Sequence, residues 1–328
     1  MGSKNKIAEK LFRHVPTAEN FYDLFCGGCA MSHRAIVEGR FKHVYANDLD
    51  GRGLHLFIDA AAGKYRDERR WISREEFFRL KDSDPYVNLC WSFGNNGRDY
   101  LYARDIEPYK RAAHYVIMLN DWQPMRELLP AFADWAEPQM GGGNRRHAVF
   151  FARLFDGWRS SHALTGGGNR VTMHNNQSYM WVQRLQNLER LKTLVFFENL
   201  RRRERLDGMK GCLLDGATFL DWREVEIQPG SVVYCDIPYR GTRGYGKRGK
   251  ETWPEALYED FYSWCRGQKE LTLISEYTMP DDFVCVTELH HRSTLSATAN
   301  NAVKERLFVP RHQEQMYWRM MNRGTLFG

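Results

Sequence analysis

Residues 21 to 28 read Phe-Tyr-Asp-Leu-Phe-Cys-Gly-Gly, and residues 43 to 48 read His-Val-Tyr-Ala-Asn-Asp. The first stretch is an apolar run of strand length, Phe21 to Phe25, that ends in a tight turn, Cys26-Gly27-Gly28-Cys29. Between the two stretches, Ala30 to Glu38 reads as a helix closed by Gly39. A strand, a glycine turn, a helix and a second strand tipped by an acid form one βαβ unit, so the chain is read as α/β. Glycines after a buried strand let the main chain approach a ligand, and a carboxylate at the tip of the next strand, Asp48, can accept both hydroxyls of a ribose. The glycines are adjacent, and Cys29 and Ser32 fall where the G-x-G-x-x-G fingerprint needs glycine. A nucleoside cofactor without a pyrophosphate is therefore favoured over a dinucleotide.

Working outward, Ile7, Leu11 and Val15 make a helical stripe over residues 4 to 15 that Pro16 stops, and a further helix is expected from about Leu54. From about 65 to 180 the chain changes character. Pro85, Gly94, Gly97, Pro108, Pro124, Pro130 and Pro138 divide it into short pieces, and Gly-Gly-Gly-Asn-Arg occurs twice, at 141 to 145 and 166 to 170. These read as loop tips of an inserted subdomain. From Val182 to Leu200 apolar residues recur every third position, which fits either one helix buried on all sides or a helix to about Leu191 followed by a strand from Leu194 to Phe197. The α/β rhythm then returns. Strands are expected at Ser231 to Cys235, Leu271 to Ser275 and Phe283 to Val286, with a helix from about Pro254 to Cys265. A β-rich tail, Leu307 to Pro310 and Met316 to Trp318, is expected at a sheet edge. The organisation that follows is 1–64 and 181–328 as two parts of one α/β domain, with 65–180 inserted between them.

The composition sets bounds on function. With 328 residues, 43% hydrophobic and 27% charged, the chain is neither disordered nor low-complexity. A mean hydropathy of -0.60 and the absence of any long apolar run exclude a spanning helix, and the first residues hold no signal-peptide core. Forty-seven Lys and Arg against 41 Asp and Glu give +6, a balance compatible with a polyanionic partner. Seven irregularly spaced cysteines point to free thiols in a reducing cytoplasm. Cys26 and Cys29 form a C-x-x-C that also suits a redox pair or half of a zinc site. No second such pair exists among Cys90, Cys212, Cys235, Cys265 and Cys285, and His290 and His291 would point to opposite faces of a strand. No metal is expected.

The second constellation is Ser231-Val232-Val233-Tyr234-Cys235 running into Asp236-Ile237-Pro238-Tyr239, followed by Arg240-Gly241-Thr242-Arg243-Gly244-Tyr245-Gly246. A strand thus ends in a carboxylate, a main-chain carbonyl freed from pairing, a stiffening proline and an aromatic ring. These parts suit a flat ligand with an exocyclic amino group: two acceptors for its N–H donors and a ring to stack on.

At this point the residues resemble a known family. Asp236 to Tyr239 looks like the D-P-P-Y motif of adenine amino-methyltransferases, and Asp23 to Gly28 resembles their F-x-G-x-G cofactor loop. Gly2-Ser3-Lys4 followed by Ile7, Leu11, His14, Val15 and Pro16 is similar to their N-terminal G-G-K-x-x-L helix, and Asp221-Trp222 to their Asp-aromatic pair. The order of the motifs is that of the alpha-group DNA adenine methyltransferases, the Dam-like family.

The resemblance implies a Rossmann-like sheet with helices on both faces, an inserted target-recognition region and transfer of a methyl group from S-adenosylmethionine to adenine N6 in a short DNA sequence. Lys4, Asp23, Phe25, Cys26, Gly27, Gly28, Asp48, Asp221, Trp222 and Asp236 are the implied cofactor residues. Asp236 and the Ile237 carbonyl would accept the two amino hydrogens, Pro238 would stiffen the turn, and Tyr239 would stack on an adenine flipped out of duplex DNA. Ile237 stands where the family has proline, and Cys29 where its loop has a last glycine. Because the mechanism needs a main-chain carbonyl at 237, Ile237→Pro is expected to change turnover by less than about tenfold. Arg145 and Arg146 and Arg170 beside the glycine loops, and Arg240, Arg243, Lys247 and Arg248 beside the catalytic loop, are candidate DNA contacts. No metal, membrane or obligate protein partner is expected. A catalytically silent DNA binder, and an amino-methyltransferase acting on RNA or cytosine, are the competing readings.

Overall fold

The computed structural model describes residues 7–105, 107–128, 209–240, 253–292 and 302–324. The strands are β1 (Asn20–Asp23), β2 (His43–Asn47), β3 (Gly216–Thr218), β4 (Ser231–Cys235), β5 (Leu271–Glu276), β6 (Phe283–Arg292) and β7 (Ala302–Pro310). The described helices are α1 (Ala8–Phe12), α2 (Ala30–Glu38), α3 (Arg52–Ala61), α4 (Arg74–Leu80), α5 (Pro85–Cys90), α6 (Glu107–His114), α7 (Gln123–Leu128), α8 (Glu255–Gly267) and α9 (Glu314–Gly324). All seven strands form one sheet in the order β3-β2-β1-β4-β5-β7-β6. The first five are mutually parallel, and β7 runs antiparallel to both β5 and β6.

Alternation along the strands explains why the sheet is covered on both sides. Phe21, Val232, Tyr234, Leu271, Leu273, Leu307 and Val309 pack beneath Leu11 and Phe12 of α1, Met31 and Ala35 of α2 and Tyr317 of α9. Their neighbours Tyr22, Val233, Cys235, Ile274 and Phe308 face the other way, against Tyr258, Phe261, Tyr262 and Cys265 of α8. A strand buried on both faces reads as an unbroken apolar run, and that is the pattern at 21 to 25 and 231 to 235. The result is a Rossmann-like α/β sheet.

A third core lies beyond α3, where Ala60, Tyr65, Ile72, Phe77, Val87, Trp91, Tyr100 and Tyr102 pack together. Its helices start on strong local signals. Ser73 and Glu76 form a reciprocal capping box at α4, and Asp84 caps α5 with Pro85 in its first turn.

Two expectations for the tail are corrected. The run at 307 to 310 belongs to β7, which lies inside the sheet between β5 and β6, and β6 takes the edge. Met316 to Trp318 lies in helix α9, with Tyr317 buried and Met316 and Trp318 exposed. Strand β6 also runs on to Arg292, past the expected Val286. Strand β3 has no counterpart in the sequence reading. The run from Val182 to Leu200 and both Gly-Gly-Gly-Asn-Arg stretches lie outside the described residues.

Candidate active site

The chain leaves β1 toward β2 on one side and later fills β4 and β5 on the other, so the strand order reverses between β1 and β4. In open α/β sheets, ligands bind at the carboxyl ends of the strands at that switch. The glycine turn is there, fixed from several directions. Cys26 N donates to the Asn47 carbonyl at 3.0 Å, and Leu24 N to the Tyr234 carbonyl at 3.0 Å. Gly27, at φ +49°, donates its N–H to Asp48 Oδ2 at 2.8 Å. A Cβ added at Gly27 or Gly28 meets nothing within 4 Å, so the space above the turn is open. On the other side the turn is closely packed: a Cβ at Gly53, in the first turn of α3, would lie 1.8 Å from the Gly27 carbonyl oxygen.

Asp23 is fully buried beneath this turn. Its Oδ2 accepts from Ser32 N at 3.0 Å and Ser32 Oγ at 2.7 Å, so the side chain caps the start of α2. Burial pushes its carboxyl up to about 7, against the pull of the Ser32 hydrogen bonds, and the nearby carboxylates of Asp236 and Asp48 add to the rise. Cys29 adopts the left-handed conformation, φ +55°, at the N-cap of α2. That conformation favours glycine, the residue of the similar family loop. The Cys26 and Cys29 sulfurs are 3.3 Å apart. The Cys26 thiol is raised by its hydrogen bond with Cys29 and by burial, and the Cys29 thiol by burial. Both conditions favour the unreactive thiol and weigh against a redox pair.

Asn47, the last residue of β2 and almost fully buried, ties together the turns that carry Asp48 and Asp221. Its Nδ2 donates to the carbonyls of Leu24 and Leu220, each at 3.1 Å. Its Oδ1 accepts from Thr218 Oγ1 at 2.8 Å and Leu220 N at 3.0 Å. All four bonding positions of the amide are thus used. Asp48 Oδ1 is held by the N–H groups of Asp50 and Gly51 at 3.0 and 3.1 Å. Asp221 is clamped by Arg223, whose Nε and Nη2 donate to its two oxygens at 2.8 Å each, and this holds its carboxyl below the usual range. Trp222 is buried against Phe261 and Trp264 and anchors this turn in the core. Leu49, Phe219 and Leu220 are exposed beside the two acids, and His55 stacks on Phe219 at 4.3 Å.

Asp236 to Tyr239 leaves the end of β4. Asp236 is half-buried, and the Ile237 side chain is buried in the core beneath α8. The Pro238 carbonyl accepts from the Tyr258 hydroxyl at 2.8 Å. The Tyr239 hydroxyl donates to Glu305 and lies 3.3 Å from Ser275 Oγ, and its ring meets Tyr277 edge-on at 4.6 Å. Arg240 N donates to Glu276 Oε1 at 2.6 Å, and the Arg240 guanidinium pairs with Glu255. Phe25 sits against Trp253 and Phe261.

The structure therefore brings Asp23, Phe25, Cys26, Gly27, Gly28, Asp48, Asp221, Trp222 and the tetrapeptide to one end of the sheet. Lys4, Arg145, Arg146, Arg170, Arg243, Lys247 and Arg248 lie outside the described residues. Sequence reasoning missed Asn47, Gly53, Glu276 and Glu305. A polar residue at a buried strand end was a usable signal for Asn47, and a glycine inside a helix for Gly53. Among the described residues no group of side chains could hold a metal ion, and no helix is long and apolar enough to cross a membrane.

A glycine turn with open space above it, at the switch point of a doubly wound sheet, places the chain in the class of α/β folds whose ligands bind at the carboxyl ends of the strands. Residues 1–120 match the family described as D12 class N6 adenine-specific DNA methyltransferase. That match fits a Dam-like adenine methyltransferase and supports methyltransferase activity. No curated protein matches the chain. Among solved structures the chain is similar to the rRNA methyltransferase aviRa from Streptomyces viridochromogenes. One structure shows 12% identity and a TM-score of 0.32 over 95% of this chain and 86% of that one. A second shows 10% identity and a TM-score of 0.33 over 97% and 88%.

Proposed function

We propose that this protein transfers a methyl group from S-adenosylmethionine to the exocyclic N6 of an adenine in DNA. The observation that carries the reading is the juxtaposition at one sheet end of an open glycine turn, two acid-bearing turns joined by Asn47, and the loop Asp236 to Tyr239. The residues fit the cofactor. Asp48 Oδ2 receives one N–H, which leaves acceptor capacity for ribose hydroxyls. Asp221 offers acceptors for an adenine amino group, and exposed Leu49, Phe219 and Leu220 give the purine an apolar border. The open space above Gly27 and Gly28 suits the methionine end, and Lys4 is assigned beside it by the resemblance. When bound, S-adenosylmethionine supplies an electrophilic methyl on a sulfonium.

The protein's own part is positioning. Asp236 and the Ile237 carbonyl accept the two amino hydrogens of the target base, which turns the nitrogen lone pair toward the methyl group. The buried Ile237 side chain and the bond from Tyr258 to the Pro238 carbonyl hold that carbonyl in place. Tyr239 stacks on the base, which must leave the duplex to reach the site. The part from 65 to 180, whose described start packs with Ala60 of α3 around Trp91, is assigned to target recognition. Arg145, Arg146, Arg170, Arg240, Arg243, Lys247 and Arg248 are assigned to phosphates or grooves, with the enzyme acting in the cytoplasm of a bacterial or phage-infected cell.

The test is transfer of labelled methyl to unmethylated duplex DNA and, in parallel, to RNA, followed by digestion to nucleosides and mass analysis, with Asp236→Ala alongside. N6-methyladenine from DNA that disappears in the variant supports the proposal. Transfer to RNA alone, or none to either, overturns it.

A further inference from the structure

Along the sheet face beneath α1, α2 and α9, three neighbouring strands change from apolar to polar toward the same end of the sheet, with Ser275 opposite Leu307 and Glu305 one step further on. Strand β5 runs Leu271, Leu273, Ser275, and β7, which runs the opposite way, reaches Glu305 one step beyond Leu307 and Val309. Strand β4 runs Val232, Tyr234 and on to Asp236. Glu305 therefore occupies a place where the strand pattern calls for an apolar side chain, and it is 2% exposed. A buried carboxylate is unfavourable unless donors satisfy it. Here the donors are the Tyr239 hydroxyl and Ser275 Oγ, both on Oε1. The ring of Tyr239 is further bounded by Tyr277, whose carbonyl is held by Arg306 Nη1 at 3.0 Å. A tyrosine side chain has two torsions, so an anchored hydroxyl and a bounded ring edge leave its plane little freedom.

We infer that Glu305 is a positioning residue for the methyl transfer, fixing the plane of Tyr239 through the buried Glu305–Ser275–Tyr239 cluster. The inference rests on the role proposed above for Tyr239 as the stacking platform of the extruded base. A platform displaced by an ångström misaligns the amino group and lowers the rate far more than it weakens cofactor binding.

The experiment measures single-turnover methylation of unmethylated duplex DNA at saturating S-adenosylmethionine for Glu305→Gln, Tyr239→Phe and the double variant. The cofactor-induced rise in melting temperature serves as the readout of an intact fold. Each single variant should be slower by about tenfold or more, with the cofactor concentration at half-rate changed by less than about twofold. The double variant should be no slower than the slower single, because both remove one contact. Should Glu305→Gln lose the cofactor-induced rise, Ser275→Ala paired with Tyr239→Phe is read by the same rule. Effects that multiply in the double variant, or single variants within about twofold of the parent rate, overturn the inference. A parent protein that transfers no methyl to DNA would instead refute the proposed function.

Discussion

Gly53→Ala separates two opposing expectations. Glycine in a helix is less favourable than alanine by about 0.8 kcal/mol, so helix propensity alone makes this a stabilising change. The structure gives the opposite sign. The added Cβ would lie 1.8 Å from the Gly27 carbonyl oxygen, 2.6 Å from its carbon and 3.2 Å from Gly28 N, where real Cβ contacts stay above 3.0 Å. Each of those atoms is main chain, so no side chain can swing aside; α3 or the glycine turn must retreat by more than an ångström. Overpacking of this kind costs about 3 kcal/mol, leaving a net loss of about 2 kcal/mol, or about 3 °C in melting temperature for a chain of this length. The functional effect should be larger, because the displaced atoms border the proposed cofactor space. Calorimetric melting with and without S-adenosylmethionine reads both quantities. Gly28→Ala is the companion: its Cβ meets nothing within 4 Å, so the melting temperature without cofactor should hold while the cofactor-induced rise shrinks. A Gly53→Ala protein as stable as the parent, with an unchanged rise, would refute the reasoning.

Two further outcomes follow from the same site. Asn47→Ala removes four hydrogen bonds and leaves the Leu24 and Leu220 carbonyls unpaired. It should cost about 3 kcal/mol in denaturant unfolding and weaken cofactor binding, and a loss of stability with unimpaired binding would count against Asn47 as the link between the two acidic turns. Asp23, with its carboxyl raised to about 7 from 3.8, keeps its proton in the native state over a range where the unfolded chain has lost it. Its contribution therefore falls as pH rises from about 4 to about 7 and is level above that. Denaturant midpoints across this range should decline less in Asp23→Asn than in the parent, and identical slopes would show the assignment to be wrong.

The strands of the sheet's centre were legible because burial on both faces leaves continuous apolar runs, as at Phe21 to Phe25 and Ser231 to Cys235. Helix α2 was legible to the residue, since Gly39 ends it in the left-handed conformation at φ +63°. Strand β3 was not: Gly216-Ala217-Thr218 is three residues, paired among the described residues with β2 alone, and too short to carry a period. Met316 to Trp318 was misread because three residues cannot distinguish alternation from one turn of a helix. The partly buried Met320 and Met321, three and four residues after Tyr317, show the helical spacing. The acids of the site could be read from their position after apolar strands, whereas the partners that their supports hold could not. Asn47 acts on Leu220, and Glu305 on Tyr239, across distances in sequence that no local pattern records.

The strand order also has a consequence for synthesis. Strand β1 must pair with β4, Asn20 opposite Ser231, and about 200 residues separate their emergence from the ribosome. At roughly 5–20 residues per second, β1 and β2 wait about 10–40 s with one edge unpaired. The helices around Trp91, whose core draws almost wholly on residues 60 to 102, can assemble in that interval. The nascent chain thus passes through a stage in which this satellite core is complete while the glycine turn still lacks its neighbouring strand. Substitutions that loosen β1 should therefore lower the yield of folded protein during synthesis more than they lower the stability of the finished molecule.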